Sequence, residues 1–542
     1  MEQSTEAPRS DVVVVGAGPT GMTAAALLAA RGVRVTVLEQ HTTPSAEPKA
    51  ISLDDESLRV FQTAGLDDAV MRVISPGTGT RYYDAGGAPA FQARAAVPYR
   101  HGFPFKNPFA QPDLERVLAD ALVADPSVDL RYGTRVTDVG QTHDGVTVGA
   151  ESTDGAATFT ATYVLGADGG RSVVRELLGV GMTGRSHSDV WLVVDTLGDA
   201  HTERYGMHHG DPARPHVIVP GLHGRCRYEF RLFDGEGLPG DEPDLALVRR
   251  LLAPYRDITP EQVERAVNYR FNAVDADRWR VGRAFLLGDA AHMMPPFAGQ
   301  GLNSGVRDAA NLAWKLADVV HGRAPDSVLD SYEAERRPHA EAVIRSSVRL
   351  GSVVMTTSER AARRRDRFVA GVLATEEGRT YLEEMRFRPV CRYTSGLVAS
   401  PDAGTVVGQP LVFSMATHRA LRLDDVLGDG WALLAVDAEP DAAAAEVGRL
   451  VDAPLWHVPY DDTVPAGPAA EAALVDLDGR LSAELEPYRG RVVLLRPDRF
   501  VAATWEPGRG EDVAATVAGW RTAPCPSTDT EGALVPATER IR

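Results

Sequence analysis

Asp11-Val12-Val13-Val14-Val15-Gly16-Ala17-Gly18-Pro19-Thr20-Gly21 is the stretch of this 542-residue sequence that decides its fold. The run of valines predicts a buried strand, and the Ala-rich segment after the glycines predicts a helix. In a strand–turn–helix unit that binds a dinucleotide, Gly16 permits the tight turn and Gly18 lets the backbone approach a pyrophosphate. Gly21 lets the helix pack closely on the strand. The alternative is a Gly-rich turn that binds nothing.

A second strand and an acidic residue complete this pattern. Residues 33–38 are mostly apolar and lead directly into Glu39, which lies 18 residues after Gly21. An acid about 20 residues beyond the glycines is expected to bind a ribose hydroxyl. Strand, glycines, helix, strand and acid together favour a dinucleotide site over a chance turn.

A further Gly-rich stretch runs from Gly288 to Asn303. It follows a short apolar strand at residues 284–287, contains Asp289, and leads into a helix whose apolar periodicity starts at Asn303. The free N–H groups and the positive dipole at a helix N-terminus suit an anionic or electron-rich cofactor. The alternative is an ordinary strand–turn–helix connection.

Residues 164–175 form a third motif, a strand that ends at Asp168-Gly169. In this order the three motifs resemble the signature of class A FAD-dependent aromatic hydroxylases, which have the para-hydroxybenzoate hydroxylase fold. The resemblance implies that the first motif holds the ADP half of FAD. It places Asp168 near the flavin and the nicotinamide route, and Asp289 on the ribitol.

Residues 48–59, 107–114 and 299–308 resemble most closely the branch typified by 3-(3-hydroxyphenyl)propionate hydroxylase and its phenol-hydroxylase relatives. Lys49 stands where that branch usually has an arginine on the phosphate or ribitol side, and it lacks the bidentate fork. The cofactor-binding residues that we predict are Gly16, Gly18, Gly21, Glu39, Lys49, Gln111, Val136, Asp168, Asp289, Gly301, Leu302 and Asn303.

The resemblance implies an NAD(P)H-consuming monooxygenase that hydroxylates a phenolic or hydroxy-heteroaromatic substrate. Reduced FAD reacts with O₂ to give a C4a-hydroperoxide, and the cofactor supplies that reactivity. The N–H groups of Leu302 and Asn303 are predicted to face the flavin edge where negative charge accumulates. No second dinucleotide fingerprint is present, so we expect NADPH or NADH to bind transiently.

The catalytic residues that we predict are His208, Arg227 and Pro295, and the predicted substrate contacts are Tyr205, His208, Trp191 and Phe297. The resemblance places Arg227 beside the flavin and the proline near the substrate. One of Tyr205, His208 and His209 could accept the phenolic proton. Alternatively, these three polar residues mark an exposed loop end. No metal site is predicted.

Three other positions have simpler alternatives. Asp54 is interpreted as the N-cap of a helix that starts at Asp55. His292 is either a packed histidine under the flavin or a proton carrier. Asn107-Pro108 could mark only a turn.

The predicted fold class is α/β with mixed α+β character: a Rossmann-type FAD-binding domain, an inserted substrate-binding β-sheet domain and a C-terminal thioredoxin-like domain. The predicted limits are 1–180 and 276–400 for FAD binding, 181–275 for the sheet, 401–523 for the C-terminal domain and 524–542 for a tail. Residues 310–350 are predicted as continuous helix. The C-terminal domain lacks a C-x-x-C pair, which excludes thioredoxin chemistry.

The composition is 44% hydrophobic and 24% charged, with a net charge of −18. So acidic a chain argues against nucleic-acid binding, and no apolar run approaches 18 residues, which argues against a membrane partner. Three isolated cysteines and a polar N-terminus favour the cytoplasm. A homo-oligomer is also predicted.

Several functions remain open. The substrate is either a phenylpropanoid-type phenol in catabolism or a larger natural product that is being tailored. A Baeyer–Villiger or epoxidising monooxygenase on the same fold is an alternative, and so is a redox-inert flavin-binding partner protein. A flavin halogenase is disfavoured because Trp191, Trp314 and Trp431 are isolated and form no Trp-x-Trp signature.

Overall fold

The structure is a computed structural model that describes residues 10–94, 97–460 and 467–522. Its first layer is a six-stranded sheet with the fully buried valines of Val12–Val15 near its centre. Five strands are parallel and one edge strand is antiparallel. In spatial order the strands are Arg280–Val281, Ala284–Leu286, Tyr163–Gly166, Val12–Val15, Val35–Leu38 and Val128–Arg131.

Both Gly-rich motifs meet at one edge of this sheet. The helix Pro19–Ala29 follows the first strand and packs against the helix Gly301–Val320. Ligands of open parallel sheets bind at the carboxyl ends of the strands, which is where both helices begin. The other helices up to residue 400 are Asp55–Thr63, Asp67–Met71, Gln111–Ala124, Val173–Leu177, Leu245–Leu252, Ser331–Val354, Glu359–Leu373 and Glu376–Glu383.

An eight-stranded sheet forms the second layer. It includes the predicted strands at 190–195, 216–220 and 225–230, but it also takes strands from residues 80–93 and 292–293, outside the predicted insertion. The sheet is therefore discontinuous in sequence, and the domain limits remain predictions. In spatial order its strands are His292–Met293, Val263–Ala276, Met182–Thr196, Cys226–Arg231, His216–Pro220, Gly206–His209, Thr80–Tyr83 and Pro89–Ala93.

Two small sheets support the first layer. The strands Arg135–Gln141, Val146–Ser152 and Gly155–Ala161 form an antiparallel sheet, and Ser52–Leu53 pairs with Asn107–Pro108. Short 3₁₀ turns occur at Gly288–Ala290 and Pro296–Ala298, in the predicted cofactor loop, and also at Pro260–Gln262 and Asp326–Asp330.

The C-terminal region is built around a four-stranded mixed sheet, which agrees with the predicted small α/β domain. Its strands, in spatial order, are Leu455–Val458, Ala432–Val436, Arg491–Leu495 and Val501–Trp505. Alternate side chains of these strands belong to two separate apolar clusters, one on each face. A three-stranded sheet of Arg419–Arg422, Leu411–Ser414 and Leu474–Asp476 and the helices Leu423–Leu427, Ala442–Val451, Pro468–Glu471, Arg480–Leu485 and Glu511–Ala518 complete it. The predicted tail lies outside the described residues.

The prediction of one helix over residues 310–350 is wrong. The helix Gly301–Val320 ends, a 3₁₀ turn follows at Asp326–Asp330, and a second helix covers Ser331–Val354. Gly322 has φ of +72°, which a helix does not adopt, and Pro325 precedes the 3₁₀ turn. None of the helices among the described residues is long and apolar enough to cross a bilayer.

A fully buried ionic cluster joins the two long helices to the C-terminal sheet. The carboxylate of Glu335 accepts hydrogen bonds from Lys315 at 2.7 Å and from both terminal nitrogens of Arg496 at 2.8 Å. All three side chains have no solvent exposure. Burial opposes ionisation of Glu335, but Arg496 and Lys315 together lower its pKa to about 2. The cluster therefore depends on an ionised Glu335.

We predict that Glu335→Gln lowers the free energy of unfolding by about 3–5 kcal/mol, because it leaves buried cations without their counter-charge. The pKa of Glu335 is lower in the folded chain than in the unfolded chain, so its contribution is complete above pH about 5 and disappears as the pH falls toward 2. Urea unfolding at several pH values measures both effects.

The matched control is Glu359→Gln, which removes an i,i+4 partner of Arg363 on an exposed helix. This exposed pair should contribute only about 0.3–0.5 kcal/mol. Equal losses for Glu335→Gln and Glu359→Gln would contradict the role assigned to the buried cluster.

Candidate functional site

A cavity of about 930 Å³ lies between the carboxyl edge of the parallel sheet and the eight-stranded sheet. This volume is near the upper end of the range for small-molecule sites, about 300–1,000 Å³. Residues from all three predicted motifs reach it. Of the predicted site residues, those that line it are Gly16, Gly18, Glu39, Lys49, Gln111, Val136, Asp168, His208, Arg227, Asp289, Phe297, Gly301 and Leu302.

Each of the three fingerprint glycines is required for a different structural reason. Gly16 has φ of +101°, and a Cβ atom there would lie 2.5 Å from the Ala167 carbonyl oxygen. A Cβ atom at Gly21 would lie 2.0 Å from the Gly16 carbonyl oxygen, so the helix and strand could not approach as they do. A Cβ atom at Gly18 would meet no protein atom within 4 Å. The open face of Gly18 lines the cavity, where the fingerprint places a pyrophosphate.

Glu39 is held at the cavity wall by its own loop. One carboxylate oxygen accepts the Ala17 N–H at 2.8 Å, and the other accepts the His41 N–H at 2.9 Å. A carboxylate has about four lone-pair sites, so both oxygens can still accept a ligand hydroxyl. This geometry is compatible with the predicted contact to a ribose.

Only one of the two carboxylate oxygens of Asp168 has a hydrogen-bond partner among the described residues. Its Oδ2 accepts the Val174 N–H at 3.0 Å, whereas the buried Oδ1 has no hydrogen-bond partner among the described residues. Burial raises the pKa of Asp168, although hydrogen bonds from Ser172 and Val174 oppose the rise. A buried oxygen without a partner is unfavourable, so it suits a ligand that donates to it.

Asp289 projects into the cavity from the 3₁₀ turn Gly288–Ala290. It is exposed to the cavity but enclosed by protein, and this enclosure raises the pKa of its carboxyl group. The charges of His292 and Lys49 oppose that rise. The position agrees with the predicted ribitol contact.

Gln111 and Lys49 belong to the same wall. The Gln111 Oε1 accepts the Ala50 N–H at 2.7 Å, and its Nε2 donates to Glu115 at 2.6 Å. Gln111 thereby fixes the segment that carries Lys49. The Lys49 side chain is more than half exposed and lies 3.9 Å from Glu47, so it remains available to an anionic group of a cofactor.

The N-terminus of the helix Gly301–Val320 opens onto the cavity through Gly301 and Leu302. The first-turn N–H groups of a helix have no intrahelical partner and carry partial positive charge. The Asn303 side chain lies away from the cavity, so the predicted contact of Asn303 rests on its backbone N–H alone. Its Oδ1 accepts the Asp54 N–H at 3.0 Å, and its Nδ2 donates to the Gly299 carbonyl at 2.7 Å. Asn303 can contribute only its backbone.

Asp54 is an N-cap, as interpreted from the sequence, and has a further role. Its Oδ1 accepts the Ser57 N–H at 2.9 Å, and its Oδ2 lies 2.9 Å from Arg307. Asn107 is also more than a turn residue, because its buried amide group binds the backbone of its own segment at Pro104 and of two others, at Leu53 and Gly77. Both residues connect the loops behind the cavity.

His292 is a packed histidine without access to the cavity. Its ring has no solvent exposure, and its Nε2 lies 2.7 Å from Asp308. Asp308 also accepts the Gly288 N–H at 3.1 Å and Arg336 Nε at 3.0 Å. Burial opposes ionisation of Asp308, but His292 and Arg336 lower its pKa to about 2. The geometry favours the packing alternative for His292 over the proton carrier.

The opposite wall is aromatic and comes from the eight-stranded sheet. Val267, Tyr269 and Phe271 alternate along the strand Val263–Ala276 and line the cavity, and Phe297 closes it from the cofactor loop. Phe271 and Phe297 meet edge to face with ring centres 5.5 Å apart. Tyr269 and Phe271 were not among the predicted site residues, although the period-2 pattern of this strand indicates that they share a face.

Three predicted substrate or catalytic residues lie elsewhere. Trp191 lies on the cavity-facing side of the sheet but is covered by Phe271 and Phe297, and it is 1% exposed. Tyr205 lies under the Arg81 guanidinium, 4.4 Å from its ring centre, and by strand alternation faces away from His208. Pro295 is buried as the N-cap of the turn Pro296–Ala298, so the next proline, Pro296, lines the cavity.

His208 is buried in the strand Gly206–His209, so the loop-end alternative does not apply to it. Burial lowers the pKa of His208 to about 3, and Lys106 and His209 act in the same direction. The imidazole is therefore neutral at physiological pH. Its buried Nδ1 has no hydrogen-bond partner among the described residues, and a neutral imidazole keeps one nitrogen that can accept a hydrogen bond.

Arg227 connects the two walls of the cavity. Its Nε and one terminal nitrogen donate to Asp195 at 2.7 and 3.0 Å, and its other terminal nitrogen donates to the Lys49 carbonyl at 2.7 Å. Most of the guanidinium donors are therefore bound to protein groups and not available to a ligand. We infer that Arg227 positions the cofactor-binding segment against the sheet.

We predict that Gly18→Ala and Gly16→Ala separate cofactor binding from folding. The Gly18→Ala apoprotein should keep wild-type stability and bind FAD at least about tenfold more weakly, because only ligand space is lost. Gly16→Ala should lower stability by about 1–3 kcal/mol, since the new methyl group meets backbone at an unfavourable φ. FAD titration and thermal unfolding of the apoproteins measure these effects, and identical behaviour of the two variants would contradict the assignment.

Comparison with known proteins extends these observations. A family model described as an FAD binding domain matches residues 9–347, and one described as the HcaD C-terminal domain matches residues 404–519. A 3-(3-hydroxy-phenyl)propionate/3-hydroxycinnamic acid hydroxylase of Mycobacterium sp. (strain KMS) is 38% identical, over 94% of this chain and 91% of the relative.

Solved structures of hydroxylases are also similar to this chain. Aklavinone-11 hydroxylase with FAD and aklavinone is 25% identical, with a TM-score of 0.75 over 95% of this chain and 99% of that one. The OxyS anhydrotetracycline hydroxylase from Streptomyces rimosus is 26% identical, with a TM-score of 0.74 over 95% and 100%.

These comparisons confirm the resemblance, the fold class and the expected cofactor. The family match covers more than half of the chain, and the curated relative matches it nearly from end to end. The roles of the individual site residues remain predictions. The chain belongs to the family of FAD-dependent aromatic hydroxylases, monooxygenases that use NAD(P)H and O₂.

Proposed function

We propose that this protein hydroxylates a phenol that binds between the aromatic wall and the N-terminus of the helix Gly301–Val320. One observation carries this proposal: the neutral acceptor His208 and the aromatic residues Phe271 and Phe297 line the same cavity as the cofactor motifs. In the overall reaction, NAD(P)H reduces O₂, one oxygen atom enters the ring, and the other leaves as water.

The residues present fit FAD. The open face of Gly18, the partnerless Asp168 oxygen and the helix N-terminus at Gly301 form one continuous lining. Bound FAD supplies the reduction of O₂ and the transfer of one oxygen atom to an electron-rich ring. The N–H groups of Gly301 and Leu302 would stabilise negative charge on the cofactor.

The remaining wall residues act on the substrate. Phe271, Phe297 and Tyr269 give an apolar surface that excludes water and packs against a ring. The neutral imidazole of His208 would accept a hydrogen bond from the phenolic hydroxyl, which increases the electron density of the ring. Arg227 would act indirectly, through the segment that holds the cofactor.

For the substrate itself we propose a small phenol of the hydroxyphenylpropionate or hydroxycinnamate class. The support is the 38% identity to the mycobacterial hydroxylase of that name, and the single cavity that must hold both cofactor and substrate. The second candidate is a larger polycyclic phenol. It is favoured by the likeness to the hydroxylases that act on aklavinone and anhydrotetracycline.

We also propose that the chain forms a homo-oligomer and acts in the cytoplasm. Exposed apolar side chains on neighbouring elements, Val353, Phe368 and Tyr381, support self-association. The cytoplasmic location rests on the isolated cysteines, and the two that are described, Cys226 and Cys391, are free and buried.

The proposed reaction predicts substrate-stimulated reduction of the FAD-loaded protein. Anaerobic stopped-flow reduction by NADPH and by NADH should accelerate at least about tenfold with 3-(3-hydroxyphenyl)propionate or with a polycyclic phenol, whichever is the substrate. With ¹⁸O₂, one labelled atom should appear as a ring hydroxyl in the product.

Other products would identify the rival functions. A labelled ester or epoxide would indicate Baeyer–Villiger or epoxidising chemistry. Slow reduction with every phenol, and no labelled product, would favour the redox-inert flavin-binding protein.

We predict that His208→Leu lowers kcat/KM for the phenol by about 10- to 100-fold, because the hydroxyl loses its acceptor. FAD affinity should not change. Since the pKa of His208 is lowered to about 3, the acceptor is already unprotonated at pH 5, and its own titration should not shape the activity profile between pH 5 and 8.

His209→Leu is the matched control. His209 is adjacent in the same strand but stacks between Tyr83 and His216 on the other face, with ring centres 4.2 and 4.3 Å away. We expect less than about a threefold change in kcat/KM for His209→Leu. An equal loss in both variants would show that the strand, and not the His208 acceptor, is what matters.

A further inference from the structure

Lys106 is a buried cation on the substrate side of the cavity. Its side chain is 7% exposed, and it lines the cavity together with His208. The preceding residue, Phe105, belongs to the same apolar cluster as Phe271 and Phe297. Lys106 is close enough to His208 to lower the pKa of that imidazole. It therefore lies at the aromatic wall that faces the cofactor motifs.

Lys106 lacks a counter-charge. No carboxylate among the described residues lies within ion-pair distance of it, and the acid that acts on it, Asp54, is already paired with Arg307 at 2.9 Å. Burial lowers the pKa of Lys106 to about 7, and the nearby Arg388 acts in the same direction. An isolated buried ammonium group is unfavourable, so a protein keeps one mainly where a ligand supplies the opposite charge.

Three other cations that line the cavity have acidic neighbours within the protein, and Arg171, which also lines it, is exposed. Arg227 and Arg265 share Asp195, at 2.7 and 3.7 Å, and Lys49 lies 3.9 Å from Glu47. Lys106 differs from these three because it is both buried and without an acidic partner. When Lys106 is protonated, the substrate wall of the cavity therefore carries a buried positive charge without an acidic partner.

The backbone holds Lys106 in this place under strain. Its φ is +54°, a left-handed conformation that is uncommon for lysine and that clusters at functional sites. The next residue, Asn107, fixes the conformation through its side chain. It accepts the Gly77 N–H at 2.9 Å and donates to the carbonyls of Leu53 at 3.2 Å and Pro104 at 2.7 Å.

We propose that Lys106 binds the carboxylate on the side chain of a phenolic substrate, and so selects an anionic phenol over a neutral one. This inference rests on the proposed function and specifies the substrate class of that site. A carboxylate would receive a charge-assisted hydrogen bond from the ammonium group and remove the unpaired charge. The phenolic hydroxyl at the other end of the substrate would bind neutral His208.

The test compares 3-(3-hydroxyphenyl)propionate with its primary amide, which has nearly the same shape but no charge. Dissociation constants are measured on the FAD-loaded protein from the change in flavin absorbance, without turnover. The wild-type protein should bind the acid more tightly than the amide. Lys106→Met should weaken binding of the acid by about 10- to 100-fold and change binding of the amide by less than about threefold.

Two further variants guard against misfolding. Lys106→Arg keeps the charge and should retain part of the preference for the acid. Lys106→Asn removes the charge but tolerates a left-handed backbone, so it should lose the preference with the fold intact. In thermal unfolding, the Lys106→Met apoprotein should be at least as stable as the wild-type apoprotein, because a neutral side chain replaces an unpaired buried charge.

Three results would overturn the inference. The first is a wild-type protein that binds the acid no better than the amide or does not bind it. The second is an equal loss of affinity for the acid and for the amide in Lys106→Met, which would place the phenolic oxygen at Lys106. The third is an unchanged preference in Lys106→Met. Charge-selective binding that depends on Lys106, without any hydroxylated product, would support the inference and refute the proposed reaction.

Discussion

The buried carboxylate of Asp308 is the interaction on which the site depends. It lies on the helix Gly301–Val320 and accepts hydrogen bonds from the Gly288 N–H, from His292 and from Arg336. A buried charge is tolerable only when its lone pairs are satisfied, and Asp308 is matched by donors from three segments. Because Gly288 directly precedes Asp289, the same carboxylate fixes the acidic side chain that faces the cofactor.

The helix that carries Asp308 makes further buried ion pairs with other parts of the molecule. Near its N-terminus Arg307 pairs with Asp54, at the start of another helix. Toward its C-terminus Lys315 pairs with Glu335, which also holds Arg496 of the C-terminal sheet. The helix thus connects the cofactor loop, the long helix after it and the C-terminal region through buried charges. Such pairs contribute specificity of arrangement more reliably than net stability.

Local sequence was sufficient to place the three Gly-rich and acidic motifs at one cavity. The structural roles of Gly16, Gly18 and Gly21 can be predicted from a few neighbouring residues, since turn geometry and helix–strand contact are local. The direction of a side chain on a distant strand is not local. Trp191 lies on the cavity side of its sheet, paired with Tyr269, but Phe271 and Phe297 cover it. Tyr205 lies just before the strand Gly206–His209 and packs under Arg81. The bond from the Asp54 N–H to the Asn303 side chain was not predicted either, because the two residues are 249 positions apart in sequence.

The uncompensated charge at Lys106 was also beyond local inference, and it changes how the substrate wall works. In the sequence, His208 was one of three neighbouring candidates, with Tyr205 and His209, for the acceptor of the phenolic proton. In the fold, burial and the neighbouring ammonium group hold the His208 pKa far below its usual range, so the imidazole is a weak base in the empty cavity. A carboxylate bound at Lys106 would offset the positive field of that ammonium group and raise the basicity of His208. The acceptor for the phenolic hydroxyl would then strengthen when an anionic substrate is in place. Charge selection and activation of the ring would thereby depend on the same pair of residues.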